Sequence, residues 1–173
     1  NSESAANGGS SMAMMSCADT LLHRKVRATL EPQMSKPRLV LIGNGMAGVR
    51  TVEELLKIKP DHYDITIFGA EPHPNYNRIL LSPVLAGEMT IQEIVLNELD
   101  WYKEKGIKLH TGKQIAKIDR TNRKVIAEDG TEEEYDRLLI ATGSTPFMLP
   151  IPGNDLPGVI GYRDIKDTDE MIE

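Results

Sequence analysis

Three glycines, Gly43, Gly45 and Gly48, stand in the spacing G-x-G-x-x-G directly after the apolar run Arg38-Leu39-Val40-Leu41-Ile42. The chemistry that spacing serves is the holding of a diphosphate. Gly43 allows a tight turn, Gly45 lets a pyrophosphate approach the backbone, and Gly48 lets a helix pack closely on the strand before it. The free N–H groups at the start of that helix then face the phosphates, and the helix dipole favours their negative charge. An acidic residue about 20 positions on completes such a dinucleotide site by holding ribose hydroxyls. Here Gly69 ends the second strand, and the nearest acid is Glu71, which is expected to reach the ribose from a slightly longer loop.

Two further groups of residues bear on the same chemistry. Asn77 is placed to cap a short helix, and Arg78 opens it, where a helix dipole alone does not favour a cation. An anionic or electron-rich neighbour, such as a diphosphate or a reduced ring, accounts for a cation there. In Asp136-Arg137-Leu138-Leu139-Ile140-Ala141-Thr142-Gly143-Ser144 a buried strand again ends in a small-residue turn. Gly143 permits close approach, and Thr142 offers a hydroxyl and an N–H. Other chemistries find little support. The only cysteine is Cys17, so the body of the chain has no disulfide, no thiolate metal site and no C-x-x-C redox pair. The four histidines (His23, His62, His73, His110) lack metal-ligand spacing and read as surface residues, so no metal site is expected.

The elements that must position these residues follow from periodicity. The branched run 38–42 reads as a buried parallel strand. From Met46 to Lys59, Val49, Val52, Leu55, Leu56 and Ile58 recur at helical spacing, Glu53 and Lys57 form an i,i+4 pair, and Pro60 marks a stop. Residues 64–69 give a second strand, which completes a βαβ unit. Glu93 to Lys105 reads as a helix with Leu96, Leu99 and Trp101 on or near its buried side, ended by Gly106. A short strand 107–110 follows, and then a meander over 112–119, 123–127 and 131–135 with hairpin turns between. The acidic run Glu132-Glu133-Glu134 reads as a solvated edge. Pro146, Pro150, Pro152 and Pro157 stiffen a connector, and Asp164 to Glu173 begin another helix.

Composition sets the class. With 40% apolar and 27% charged residues over 173 positions, the chain has the make-up of one soluble globular domain, and a cytoplasmic location is expected for it. Its net charge of −6 argues against a nucleic-acid partner, which needs a concentrated basic patch. Its longest apolar candidate, Ile79 to Ala86, is broken by Ser82 and Pro83 and falls far short of the roughly 18 residues of a membrane span. Residues 1–33 lack any period and are expected to be a disordered leader or a cloning-derived extension.

Together these segments resemble the FAD-binding region of the two-dinucleotide flavoprotein reductases, in which a βαβ fingerprint, a β-meander and an A-T-G turn precede a separate NAD(P)H domain. Gly43-Asn44-Gly45-Met46-Ala47-Gly48, Phe68-Gly69, Tyr76-Asn77-Arg78-Ile79-Leu80-Leu81-Ser82 and Trp101-Tyr102 followed by Gly106-Ile107 are similar to the N-terminal segment of the assimilatory nitrite reductase large subunits. Rubredoxin and ferredoxin reductases share most of these motifs. The resemblance covers residues 37–173 and implies an α/β, Rossmann-like FAD-binding domain over 34–150. Residues 151–173 would then be a linker and the start of the NAD(P)H domain. It further implies that Gly43, Asn44, Gly45, Met46, Ala47 and Gly48 cradle the FAD pyrophosphate, and that Glu71 approaches the adenosine ribose. Arg78 would lie near the flavin and its phosphates, Ile115 would meet the adenine through its backbone, Thr142 and Gly143 would close over the cofactor, and Arg163 would lie near the flavin. No second G-x-G-x-x-G is present, so NAD(P)H would bind through a downstream domain, with further redox domains of the same protein as partners. The return strand of the FAD domain is also absent, so the expected domain is incomplete on its C-terminal side, and the chain alone is expected to hold FAD weakly or not at all. The competing readings are a catalytically silent nucleotide-binding module and a plain NAD-dependent dehydrogenase.

Overall fold

The computed structural model describes residues 35–173, and the expectation for the leader falls outside them. Strand β1 (Arg38–Ile42) leads into helix α1 (Met46–Ile58), which is followed by β2 (Asp64–Phe68). A 3-10 turn (Arg78–Leu80) runs into α2 (Leu81–Leu85), and α3 spans Leu99–Glu104. Then come β3 (Lys108–His110), β4 (Ile115–Asp119), β5 (Lys124–Ala127), β6 (Glu132–Glu134), β7 (Arg137–Ile140) and α4 (Ile165–Ile172). Strands β3-β2-β1-β7 form a parallel sheet in that order, and β4-β5-β6 form an antiparallel meander.

The alternation within β1 builds the layers. Leu39 and Leu41 pack with Ile65 and Ile67 of β2 against Val52 of α1, Tyr102 of α3 and Ile107. Val40 and Ile42 turn the other way, onto Phe68, Val125 and Ala127. Helices therefore cover one face of the parallel sheet and the meander covers the other, which is why its strands read as continuously apolar. Each fully buried side chain of this kind contributes about 1.5–3 kcal/mol, against about 0–1 kcal/mol for an exposed ion pair. Packing decides the layering. A third cluster joins Tyr76, Leu81, Val84 and Ile94 to Ile165 of α4, so the last helix packs back onto α2.

Four local expectations need correction. The helix expected over 93–105 is broken: a 3-10 turn covers Gln92–Ile94, Val95 bridges Tyr76 in extended form, and only Leu99–Glu104 is helical. Leu96 and Leu99 are exposed, and Tyr102 holds the buried position instead. The cause is the backbone of the 75–77 loop, whose Asn75 carbonyl accepts from the N–H groups of Leu96 and Asn97, which a continuous helix would use itself. Within α1, Lys57 pairs with Glu54 at 2.8 Å, not with Glu53, whose carboxylate turns inward to accept from Asn97 at 2.9 Å.

The acidic run on β6 lies at the edge of the meander, but its carboxylates are not merely solvated. Glu132 pairs with Lys124, Glu133 with Lys108 of β3, and Glu134 with Arg38 of β1. Two of the three thus tie the meander to the parallel sheet. Arg38 also forks onto both oxygens of Asp136, each at 3.1 Å, which holds that carboxyl down at about 2.

His110 is only half-exposed, not a freely solvated surface residue. Its ring stacks on Phe68 at 4.6 Å and 17°, and its Nε2 is buried without a partner. Burial, with Lys108 next, pushes its pKa below the usual imidazole value. The unfolded chain then binds the proton more readily than the folded one. The stability this group contributes is fully present above the unfolded pKa of about 6.5 and is lost as pH falls through the lower folded value. We expect the melting temperature to fall between neutral pH and pH 5, and His110→Phe to flatten that part of the profile. An unchanged slope in the variant would refute the assignment.

Candidate functional site

A cleft of about 790 Å³ opens where the C-terminal ends of β1, β2 and β7 meet the start of α1. This is the end of a parallel sheet at which ligands bind, where connections leave in opposite directions. The cleft is lined by Gly43, Asn44, Gly45, Met46 and Ala47 from the first turn, Glu71 and Arg78 from the segment after β2, Ile115 from the meander, Thr142 and Gly143 after β7, and Arg163 before α4. Eleven of the twelve residues named from the sequence therefore surround one space. The twelfth, Gly48, lies outside the lining.

The three glycines of the motif do different work. A Cβ on Gly48 would stand 2.8 Å from the Gly43 carbonyl oxygen, 3.1 Å from Leu41 and 3.2 Å from Ala141, so its role is to seat α1 on the sheet. Gly43 has φ +107 and touches the backbone of Ala141. Around Gly45 the Cβ position is open. Gly45 begins α1 in an extended conformation, no side chain caps the helix, and its first turn carries no acid. The first N–H groups of a helix have no partner within it. A helix start with free donors and no acid in its own first turn fits a diphosphate.

The glycine at the end of β2 also has its explanation. A Cβ on Gly69 would lie 2.9 Å from that of Asn44, so an acidic side chain has no room at the position where the dinucleotide fingerprint places one. Glu71 lies in the loop beyond and lines the cleft, but neither of its oxygens is free. Oε2 accepts from the Tyr76 hydroxyl at 2.6 Å, and Oε1 pairs with Arg78. Burial, followed by the Glu71 carboxylate, pushes the Tyr76 phenol well above its ordinary pKa, so it remains a donor. Arg78 lies over the Tyr76 ring at 5.2 Å and donates to the Arg163 carbonyl at 3.3 Å. The Arg163 guanidinium in turn covers Gly143, where an added Cβ would meet Nη2 at 2.9 Å.

Sequence reasoning missed a buried polar chain behind the cleft, formed by Asn75, Asn97 and Tyr102, and it missed Tyr76 as a partner of Glu71. Asn75 and Asn97 are 3% and 6% exposed. Asparagines in loops are ordinarily solvated, so their burial could be seen only once the 75–77 and 95–97 segments were paired. Among the described residues no group of three or more His, Cys, Asp or Glu could hold a metal ion. No helix among them is long and apolar enough to cross a membrane.

Residues 37–173, nearly everything the structure describes, match the family model of pyridine nucleotide-disulphide oxidoreductases. The chain belongs to this family. It is 57% identical over 139 residues to a nitrite reductase [NAD(P)H] of Bacillus subtilis (strain 168), covering 80% of this chain and 17% of that protein. To the assimilatory nitrate reductase electron transfer subunit of the same organism it is 52% identical over 139 residues, covering 80% of this chain and 18% of the other. Among solved structures it is similar to NADH:rubredoxin oxidoreductase from Clostridium acetobutylicum, with 25% identity and a TM-score of 0.70 over 80% of this chain and 35% of that one. The chain thus spans less than a fifth of those two curated relatives. The α/β Rossmann-like fold with a meander insertion is the fold of these reductases. The family's name refers to disulphide chemistry, but the only cysteine here, Cys17, precedes the matched residues.

Proposed function

We propose that the cleft binds FAD, its diphosphate lying against the turn from Gly43 to Ala47, and that the chain is the FAD-binding part of an NAD(P)H-dependent oxidoreductase of the nitrite reductase type. The observation that carries this reading is the open Cβ position at Gly45, at the uncapped start of α1 and in the wall of the cleft. Gly43, Asn44, Met46 and Ala47 complete the cradle, and Gly48 brings α1 to it. Thr142 and Gly143 approach from the β7 side, the Ile115 backbone lies on the adenosine side, and Glu71 lies near the ribose. Arg78 and Arg163 supply positive charge beside the flavin. Residues 34–150 form the FAD domain in this reading, and residues 151–173, anchored by Ile165 and Thr168, lead toward the NAD(P)H domain of the same cytoplasmic protein.

Bound FAD supplies two-electron acceptance from NAD(P)H and one-electron release toward an acceptor, which is nitrite if the relatives' chemistry carries over. The chain's own residues supply position and field. The α1 N-terminus meets the diphosphate, the Gly43 and Gly143 turns exclude bulk from its path, and Tyr76 with Glu71 fixes the Arg78 guanidinium beside it. No residue of this chain is assigned a proton transfer.

FAD titration by equilibrium dialysis, carried into the millimolar range, tests the proposal. Saturable uptake at one FAD per chain is the expected result. Arg78→Ala is expected to weaken it by about tenfold, the value of one charge-assisted contact. Linear, unsaturated uptake by the unaltered chain would overturn the reading.

A further inference from the structure

The buried polar chain behind the cleft has a fixed direction. Glu53 of α1 presents a carboxylate, which can only accept. Asn97 must therefore donate its Nδ2 to Glu53, at 2.9 Å, and offer its Oδ1 to Asn75, whose Nδ2 donates at 2.8 Å. The backbone N–H of Asn75 donates to the Tyr102 hydroxyl at 3.3 Å, and that hydroxyl donates to Asn44 Oδ1 at 2.9 Å. Asn44 is the residue between the first two glycines of the motif, and its own Nδ2 reaches the His73 carbonyl at 3.4 Å. The Tyr102 ring is 1% exposed within the core cluster of Leu41, Val52 and Ile67. One hydroxyl on a rigid ring thus joins three elements: the phosphate turn, the loop bearing Glu71 to Arg78, and helix α3.

We infer that Tyr102 is a positioning residue, whose hydroxyl presets the Gly43–Ala47 turn for the cofactor by holding the Asn44 amide. Burial keeps the phenol protonated, so it serves as donor and acceptor at once. A turn fixed before binding spends less ordering entropy on the ligand, so the hydroxyl acts on affinity without touching the cofactor. This inference rests on the FAD reading for its second measurement only.

Two measurements on the full chain test it. The first, amide hydrogen exchange without cofactor, reads the turn directly. Tyr102→Phe keeps the ring in the core and is expected to speed exchange of the Val49 N–H, which holds the turn by donating to the Gly45 carbonyl at 3.1 Å, by about tenfold, leaving β1 and β2 protected. Asn44→Ala, which leaves the core intact, is expected to do the same, and decides the matter if Tyr102→Phe does not fold. The second is FAD affinity. Each variant is expected to lose about tenfold, and the double variant well short of the roughly 100-fold product, because both remove the bond between Tyr102 and Asn44. Unchanged exchange in the turn, or losses that multiply to about 100-fold, would overturn the assignment. If the unaltered chain takes up no FAD, the proposed function fails, and the exchange data alone decide the role of Tyr102.

Discussion

Gly45→Val is expected to abolish measurable FAD uptake, a loss of at least roughly 100-fold, while the far-ultraviolet spectrum and melting temperature stay close to those of the unaltered chain. The backbone at Gly45 has φ −87 and ψ 173, extended values that any residue adopts, and no atom lies within 4 Å of its Cβ position. A valine there meets no protein. Its cost to the fold is that of a poor helix N-cap, about 1 kcal/mol or less relative to glycine. Its branched side chain instead fills the space in front of the first N–H groups of α1, where a diphosphate must come close to the backbone. Equilibrium dialysis at matched concentrations of folded protein checks the result. Equal FAD uptake by variant and parent would remove the phosphate site from this turn.

Gly43→Ala, two residues away in the same motif, is expected to prevent stable folding. The added methyl would stand 2.2 Å from the Ala141 oxygen and 2.6 Å from its carbonyl carbon, both backbone atoms. Neither side can yield. Gly43 N–H is bonded to the Phe68 carbonyl at 2.8 Å, and Ala141 N–H to the Ile42 carbonyl at 2.8 Å. Relieving the clash means separating β1 from β7. The φ of +107 adds a strain of about 1–3 kcal/mol for any residue with a Cβ. Together these effects place the loss among the exceptional ones, above about 4 kcal/mol, against a total stability of roughly 5–15 kcal/mol for a domain. Urea unfolding measures it, and a variant with an unshifted midpoint would show that the β1–β7 contact is looser than described. The two substitutions separate what the motif letters leave joined: one glycine is packed into the fold and the other faces open space.

Much of this was legible from local signals. β1, α1 and β2 emerged within a residue or so of their observed bounds, because each is a short element with its own period and its own stop. The meander strands were read from their turns, and the start of α4 was placed at Asp164, whose side chain forms a capping box with Asp167 in the structure. Eleven of the twelve named residues line the cleft for a related reason. In a parallel α/β sheet, turns at the C-terminal strand ends converge whatever the intervening sequence, so recognising two such turns is enough to bring them together.

What the chain order could not supply was pairing between side chains far apart in sequence. The 93–105 helix was misread because its carbonyl and N–H partners belong to the Tyr76 loop, and a local pattern cannot record that competition. Glu71 read as an open acid, yet Arg78 and Tyr76 occupy both its oxygens. Glu133 and Glu134 read as an exposed edge, yet they find Lys108 and Arg38 on the other sheet. Composition and spacing determined the glycine turn after β1, because backbone geometry there depends on which residues lack a Cβ. Tertiary structure alone decided which glycine is packed and which is open, and that Tyr102 and Asn75 back the turn, because burial and hydrogen-bond direction depend on residues far apart in the chain, Gly43 against Ala141 and Asn44 against Tyr102.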